Sequence, residues 1–236
     1  MHNPEIEALK KEVYEANMLL QKYKLVIHTW GNVSGITKDR KYMVIKPSGV
    51  KYETMKPDDM VVMTLDNEII DSKLRPSSDA PTHTLIYKAN PNIKGIVHTH
   101  SPFAVGWAQA GKDIPCFGTT HADNFYGSIP CTRELSDDEI NGEYEHNTGL
   151  VILEHFKKNN ISLESTSATL VKEHGPFVWS TKSPEEAVNL ALTVEEIAKM
   201  AINTLIIDPH KTQANKVLQD KHHSRKHGPN AYYGQK

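Results

Sequence analysis

The feature that most limits the fold of this 236-residue chain is a series of short apolar runs, each bounded by Pro, Gly or Asp. Apolar runs of this length between turn-forming residues predict strands. They lie at residues 42–46, 60–63, 95–98, 168–171 and 177–179. The chain is therefore expected to contain a sheet built from short strands.

Helical patterns occur around and between these runs. Apolar residues recur at three-to-four spacing from Ile6 to Tyr23, and residues 82–89 predict a second helix. Ser183 is the clearest helix start, because a serine N-cap is followed by Pro184 and, three residues after the cap, by Glu186. The apolar spacing there continues to about residue 205, and the polar tail over residues 212–226 predicts a last helix.

Strands and helices do not alternate regularly, and no linker or internal repeat divides the chain. The pattern predicts an α/β fold, a single-domain three-layer sandwich over residues 1–236 whose central, mainly antiparallel sheet is covered by helices. A regular doubly wound parallel sheet is less compatible with this order of elements.

The composition limits the partners and the location of the protein. The chain has 27 basic and 29 acidic residues, so no basic face for nucleic acid is expected. No apolar run is long enough to span a bilayer, and no secretory signal precedes the first helix. We therefore expect a cytoplasmic protein without membrane or nucleic-acid partners, in which Cys116 and Cys131 are reduced thiols.

A pair of histidines ends one predicted strand. His98 and His100 are two residues apart, so their side chains point to the same face of an extended segment. Two imidazoles on a rigid element suit a divalent metal ion. On the residues alone, a pair of histidines on a solvated strand face is an equally good interpretation.

Two further residues could complete a metal site. Asp79 lies in a Pro- and Ser-rich turn, and His174 lies before Gly175 between two predicted strands. Three histidines and one carboxylate would suit zinc, or a harder divalent ion such as manganese. Taken alone, each residue is an ordinary helix cap or turn residue, and sequence spacing does not show that the four meet.

Three segments of small polar residues could hold an anion through hydroxyl, amide and backbone N–H donors. These are Gly31–Asn32, Ser48–Gly49 and Ser77–Ser78, with Lys46 as a possible added cation. From the residues alone, three ordinary turns are the preferred interpretation. The chain has neither a nucleotide-binding P-loop nor a Gly-x-Gly-x-x-Gly fingerprint, so no NAD is expected.

Nine segments, spread from near the start of the chain to its last residues, together resemble a known family. They are residues 29–34, 45–50, 76–79, 96–100, 118–123, 140–145, 174–176, 226–228 and 231–235. The chain resembles the class II aldolase superfamily and, within it, the L-ribulose-5-phosphate 4-epimerases. The resemblance implies a metal-dependent enzyme that interconverts L-ribulose 5-phosphate and D-xylulose 5-phosphate by breaking and reforming the C3–C4 bond.

The resemblance also implies roles for particular residues. It implies one divalent metal ion per subunit, most simply Zn²⁺ but also Mn²⁺, bound by Asp79, His98, His100 and His174. It implies that Gly31, Asn32, Ser48, Gly49, Ser77 and Ser78 hold the substrate phosphate.

For proton transfer, the resemblance implies Asp123 and Tyr233, which in relatives reach the site from a neighbouring subunit of a homotetramer. Residues 208–236 would then be a C-terminal tail that completes the active site. From the pattern alone, Asp123 is a loop cap and Tyr233 a solvated tail residue, and only the family match separates Tyr233 from Tyr232.

Three alternatives remain. A class II ketose-phosphate aldolase would use the same metal and the same bond cleavage but would release the aldehyde. The resemblance argues against an aldolase, because fuculose-phosphate aldolases use a glutamate where this chain has Asp79. A non-catalytic module like the adducin head would lack the metal ligands, and a metallohydrolase would release phosphate or an acid.

Overall fold

The computed structural model describes residues 3–227 and 231–232, and over these residues the chain forms eight α-helices and a seven-stranded sheet. The helices are α1 (Pro4–Lys22), α2 (Ala80–Ala89), α3 (Pro102–Gln109), α4 (Thr119–Ala122), α5 (Asp137–Asn141), α6 (Tyr144–Lys158), α7 (Pro184–Ile207) and α8 (Lys216–His227). The strands are β1 (Asn32–Ile36), β2 (Tyr42–Ile45), β3 (Val61–Thr64), β4 (Ile69–Asp71), β5 (Gly95–His98), β6 (Ala168–Val171) and β7 (Gly175–Ser180). A short 3₁₀ helix spans Pro57–Asp59.

The strands form one sheet in the order β4-β3-β2-β1-β5-β7-β6, and every neighbouring pair is antiparallel. The predicted antiparallel α/β sandwich is therefore confirmed. Five strands coincide with the predicted apolar runs to within about two residues, which is the usual uncertainty of such boundaries. The strands β1 and β4 were not predicted, because polar and glycine residues interrupt β1 and because β4 has only three residues.

Alternating side chains of each central strand face opposite layers of helices. Val97 and Val178 pack with residues of α1, α3 and α7, whereas Ile96 and Phe177 pack with residues of α2 and α6. This is the two-residue period of a strand buried on both faces. Even-numbered residues of β1 and β5 therefore point toward α2, and this face carries the candidate site.

The long helix α7 begins as its sequence predicts. The Ser183 side chain accepts a hydrogen bond from the Glu186 backbone N–H at 3.1 Å, and Pro184 is the first helical residue. The helix ends at Ile207 rather than at residue 205, and α8 begins at Lys216 rather than at residue 212.

Over the part of the chain that the structure describes, no helix has both the length and the apolar character needed to cross a bilayer. Cys116 and Cys131 are buried as free thiols, as predicted.

The segment that follows β5 is fixed by a buried carboxylate on α7. Glu195 is 7% exposed, and its two oxygens accept hydrogen bonds from the backbone N–H groups of Phe103 at 2.9 Å and Ala104 at 2.8 Å. These N–H groups belong to the first turn of α3 and have no partner within the helix. Glu195 therefore holds the start of α3 and, with it, the loop that carries His100.

We expect Glu195→Ala to lower the free energy of unfolding by about 1–3 kcal/mol, because it leaves two helix N–H groups without an acceptor. Denaturant unfolding monitored by circular dichroism measures this change. Glu196→Ala is the matched control, since Glu196 is exposed on the next position of α7 and should change stability by less than about 0.5 kcal/mol. Equal stability of the two variants would contradict the anchoring role.

Candidate active site

Strand pairing brings together histidines that are distant in sequence. In the antiparallel pair of β5 and β7, His98 lies opposite Phe177, and His174 immediately precedes β7. Glu173 has a φ of 63°, so the turn between β6 and β7 is tight. As a result, His174 lies beside the end of β5, where His98 and His100 project.

One ring nitrogen from each of His98, His100 and His174 lies within 4.8 Å of the other two. The Nε2 atoms of His98 and His100 are 3.0 Å apart. His98 is 1% exposed, His174 is half-buried and His100 faces the solvent, so the cluster is accessible from one side.

The orientation of His98 is fixed by its surroundings. Its Nδ1 lies 2.9 Å from the carbonyl oxygen of Pro176, and its ring stacks on Phe177 with centroids 4.2 Å apart. A carbonyl only accepts hydrogen bonds, so Nδ1 carries the proton and the lone pair of Nε2 points into the cluster. A hydrogen bond of this kind on the second ring nitrogen is typical of histidines that bind metals.

The donor set fits a divalent cation. Nitrogens bound at about 2.0–2.1 Å to one zinc ion lie roughly 3 Å apart, which is the spacing of the two Nε2 atoms. Burial and the neighbouring His98 lower the pKa of His174 to about 3, and burial lowers that of His100. The rings of His100 and His174 are thus neutral at pH 7, in the form that ligates metals.

Asp79 lies on the wall of the same cavity as His100 and His174 but is not one of the three clustered ligands. It occupies the N-cap position of α2, and its Oδ2 accepts a hydrogen bond from the Asn32 amide at 2.7 Å. Burial alone would raise its pKa. The nearby His98 ring and the bond from Asn32 outweigh this and hold the pKa below its ordinary value, so Asp79 is an anion.

The seven residues expected to bind substrate line this cavity, whose volume is about 340 Å³. They are Gly31, Asn32, Lys46, Ser48, Gly49, Ser77 and Ser78. Gly31 has a φ of 74°, and a Cβ there would come within 2.7 Å of Val26 Cγ1. A side chain at this position would therefore clash, and glycine keeps the backbone close to the end of β5.

The loops that carry these residues are tied to each other. Ser77 N–H donates to the Lys46 carbonyl and Ser48 N–H to the Arg75 carbonyl, both at 2.9 Å. The loop around Ser48 and the loop around Ser77 thus face the cavity as one unit.

Lys46 lies beneath the loops and not at the centre of the cavity. It is 1% exposed, and its Nζ donates to the carbonyls of Val50 at 2.9 Å, Pro47 at 3.3 Å and Thr29 at 3.4 Å. Burial lowers its pKa to about 8, which leaves it mostly charged at pH 7. Its contacts show that it ties together backbone segments of the cavity wall.

Asp123 lies elsewhere on the chain, at the end of α4 against α8. Its carboxylate accepts hydrogen bonds from Arg225 Nε at 2.8 Å and Nη2 at 2.5 Å, and His222 Nδ1 is 3.0 Å away. Burial would raise its pKa, but these partners hold the pKa below its ordinary value. Among the described residues, those lining the histidine cavity do not include Asp123.

Tyr233, the other residue expected to transfer protons, lies outside the described residues. Two side chains near the cluster were not predicted from the sequence. The Tyr144 hydroxyl lies 3.3 Å from His174 Nδ1, and His83 is fully buried one turn after Asp79 on α2. The sequence signal for His83 was its four-residue spacing from Asp79, which places both on one helix face.

Comparison with known proteins agrees with this fold. The family model described as "Class II Aldolase and Adducin N-terminal domain" matches residues 11–202. A relative from Mycoplasma pneumoniae, described as "Probable L-ribulose-5-phosphate 4-epimerase UlaF", is 62% identical over 231 residues, which cover 98% of this chain and 96% of that protein.

Two solved structures share the fold. An L-fuculose 1-phosphate aldolase matches with a TM-score of 0.74 and 20% identity, over 90% of this chain and 93% of its own. YgbL from Klebsiella pneumoniae, "a putative aldolase/epimerase/decarboxylase", matches with a TM-score of 0.69 and 22% identity, over 93% of this chain and 99% of its own. The chain belongs to the class II aldolase and adducin N-terminal domain family.

We expect His98→Asn to weaken Zn²⁺ binding by at least about 100-fold, because it removes one ligand of a small set. Isothermal titration calorimetry of the metal-free protein measures the affinity. His155→Asn is the control, since His155 is a half-buried histidine on α6 outside the cluster. If His98→Asn bound the ion as tightly as the control, His98 would not be a ligand.

Proposed function

We propose that this protein is a metal-dependent epimerase that interconverts L-ribulose 5-phosphate and D-xylulose 5-phosphate. The observation that carries the proposal is that candidate metal ligands and anion-binding loops line one cavity of about 340 Å³. The relative at 62% identity, described as a probable epimerase for this substrate, supports the choice within the family.

The cavity suits a ketopentose phosphate. Its loop side offers the hydroxyls of Ser48, Ser77 and Ser78 together with the backbone of Gly49, which can hold a phosphate without direct contact from a cation. The same cavity is also lined by His100 and His174. The sugar phosphate would therefore bind with its phosphate in the loops and its keto end at the histidines.

His98, His100 and His174 would hold the metal ion, with Asp79 as a fourth ligand. A bound Zn²⁺ or Mn²⁺ supplies Lewis-acid stabilisation for the negative charge that develops on the C2 and C3 oxygens when the C3–C4 bond breaks. We propose Zn²⁺, because three imidazoles form the donor set.

The phosphate loops keep the aldehyde fragment in the cavity after cleavage. The fragment turns over and adds back through its opposite face, which inverts C4 without removing the C4 hydrogen. Asn32 supports this site from the cavity wall, where its side-chain amide donates to Ser77 Oγ at 3.0 Å and to Asp79 Oδ2 at 2.7 Å.

Proton transfer at the C4 oxygen requires one group on each face of the aldehyde. We propose Asp123 and Tyr233 for these roles, as the family resemblance implies. Asp123 is an anion at neutral pH, as an aspartate ordinarily is, and Arg225 and His222 lower its pKa further and fix the position of its carboxylate.

Asp123 is not among the described residues that line the histidine cavity, so we propose that it serves the histidine cluster of a second copy of the chain. We therefore propose a cytoplasmic homotetramer with active sites at its subunit interfaces, in which residues 208–236 of one subunit complete the site of its neighbour. The packing of α8 against Asp123 supports this role of the C-terminal segment.

The proposed activity predicts that purified protein converts L-ribulose 5-phosphate to D-xylulose 5-phosphate, that chelation abolishes turnover, and that Zn²⁺ or Mn²⁺ restores it. A coupled assay measures the rate, and NMR of the product formed in D₂O shows whether the C4 hydrogen is retained. Deuterium at C4 would rule out cleavage and re-addition. Release of free aldehyde would instead identify an aldolase, and release of phosphate a hydrolase.

Interface sites predict complementation between two inactive variants. His98→Asn and Asp123→Asn are each expected to be inactive, but a mixed tetramer contains some sites with both side chains intact. Random assembly at equal amounts should restore about one quarter of the wild-type activity. Each variant refolded alone is the control, and no recovery in mixed tetramers confirmed by mass spectrometry would show that each site is formed by one chain.

A further inference from the structure

A series of buried hydrogen bonds leads from the middle of the sheet toward the candidate metal centre. Tyr87 OH lies 3.0 Å from Ser34 Oγ, which in turn lies 2.7 Å from His83 Nδ1. His83 and Ser34 are 0% exposed and Tyr87 is 1% exposed. Solvent therefore does not satisfy these groups, and their protons must be shared among themselves.

One arrangement gives each hydroxyl proton an acceptor. Tyr87 donates to Ser34, and Ser34 donates to His83 Nδ1, so the neutral imidazole carries its own proton on Nε2. In the reverse arrangement, the Tyr87 hydroxyl proton would have no acceptor among the hydrogen bonds of the described chain. The hydrogen bonds from Tyr87 to Ser34 and from Ser34 to His83 therefore fix the tautomer of His83, with its proton on Nε2.

The Nε2 atom of His83 is buried and has no hydrogen-bond partner within the described residues. An unsatisfied N–H in this position is unfavourable unless an acceptor comes within reach when the site is complete. Asp79 lies one helical turn earlier, and its backbone carbonyl accepts from His83 N–H at 3.1 Å. Side chains four residues apart lie on one face of a helix, so the carboxylate and the ring are neighbours.

A second contact connects His83 to the histidine cluster. Its ring meets the edge of Phe177 with centroids 6.0 Å apart, and Phe177 in turn stacks on His98 at 4.2 Å and meets the ring of His174 at 6.0 Å. His83 thus packs against Phe177, whose ring orients His98. His83 also lies beside Asp79.

We infer that His83 is a positioning residue of the metal centre, whose Nε2–H, fixed by Ser34 and Tyr87, is offered to the Asp79 carboxylate directly or through one water molecule. The Asn32 amide donates a hydrogen bond to Oδ2 of the Asp79 carboxylate at 2.7 Å. A second hydrogen bond, from His83 Nε2–H, would fix the remaining rotation of that carboxylate. The inference deepens the proposed function, since it rests on Asp79 being a metal ligand.

The test compares two amides at this position. The side-chain nitrogen of Gln can occupy the place of Nε2, whereas that of Asn can occupy only the place of Nδ1. We expect His83→Asn to bind Zn²⁺ about 10- to 100-fold more weakly than the wild type, and at least about tenfold more weakly than His83→Gln. Titration calorimetry of the metal-free proteins gives the affinities, and thermal unfolding of the same samples shows that they are folded.

Ser34→Ala provides a second test that keeps the imidazole. Without the Ser34 proton the tautomer is no longer fixed, and we expect Zn²⁺ affinity to fall severalfold while His155→Asn, the remote histidine control, binds as the wild type does. Equal affinities of the Gln and Asn variants, or wild-type affinity of Ser34→Ala, would overturn the inference. An epimerase assay of the wild type keeps the two questions separate: a wild type that binds Zn²⁺ but does not epimerise contradicts only the proposed function.

Discussion

The antiparallel pairing of β5 with β7 is the interaction on which the candidate site depends. Its register sets Phe177 opposite His98, and the tight turn before β7 leaves His174 at the same end of the sheet. A shift of the register by one residue would turn alternate side chains to the other helical layer and separate the three imidazoles. The hydrogen bonds of a sheet buried on both faces therefore determine where a cation can bind.

Much of this arrangement could be predicted from the sequence. The run ending at His98 is a strand with the predicted bounds, and the Ser183 cap begins a helix as expected. These features are local, because a strand or a helix start is determined by a few neighbouring residues. The proximity of His98 and His174 was implied only by the family resemblance and could not be predicted from the residues alone, since it depends on which strands become neighbours in the sheet.

Other features escaped the sequence because they arise from tertiary packing. The sequence suggested Lys46 as a cation that contacts the substrate phosphate. In the structure, its ammonium group donates to three backbone carbonyls beneath the loops. The Tyr144 hydroxyl reaches His174 only because α6 begins beside the β6–β7 turn. The chain has thirteen histidines, and the sequence alone does not show which of them are buried. Only the fold shows that the ring of His83 is enclosed between α2 and the sheet.

The contact between Asp123 and α8 links the proposed proton-transfer carboxylate to the helix that leads to the C-terminus. Arg225 holds the carboxylate with two hydrogen bonds, and Arg225 also lies in the helix from which the chain continues toward Tyr233. Neutralising the acid therefore also loosens the attachment of that helix. A kinetic defect measured for an Asp123 variant would therefore combine loss of the proposed proton acceptor with a weaker attachment of α8.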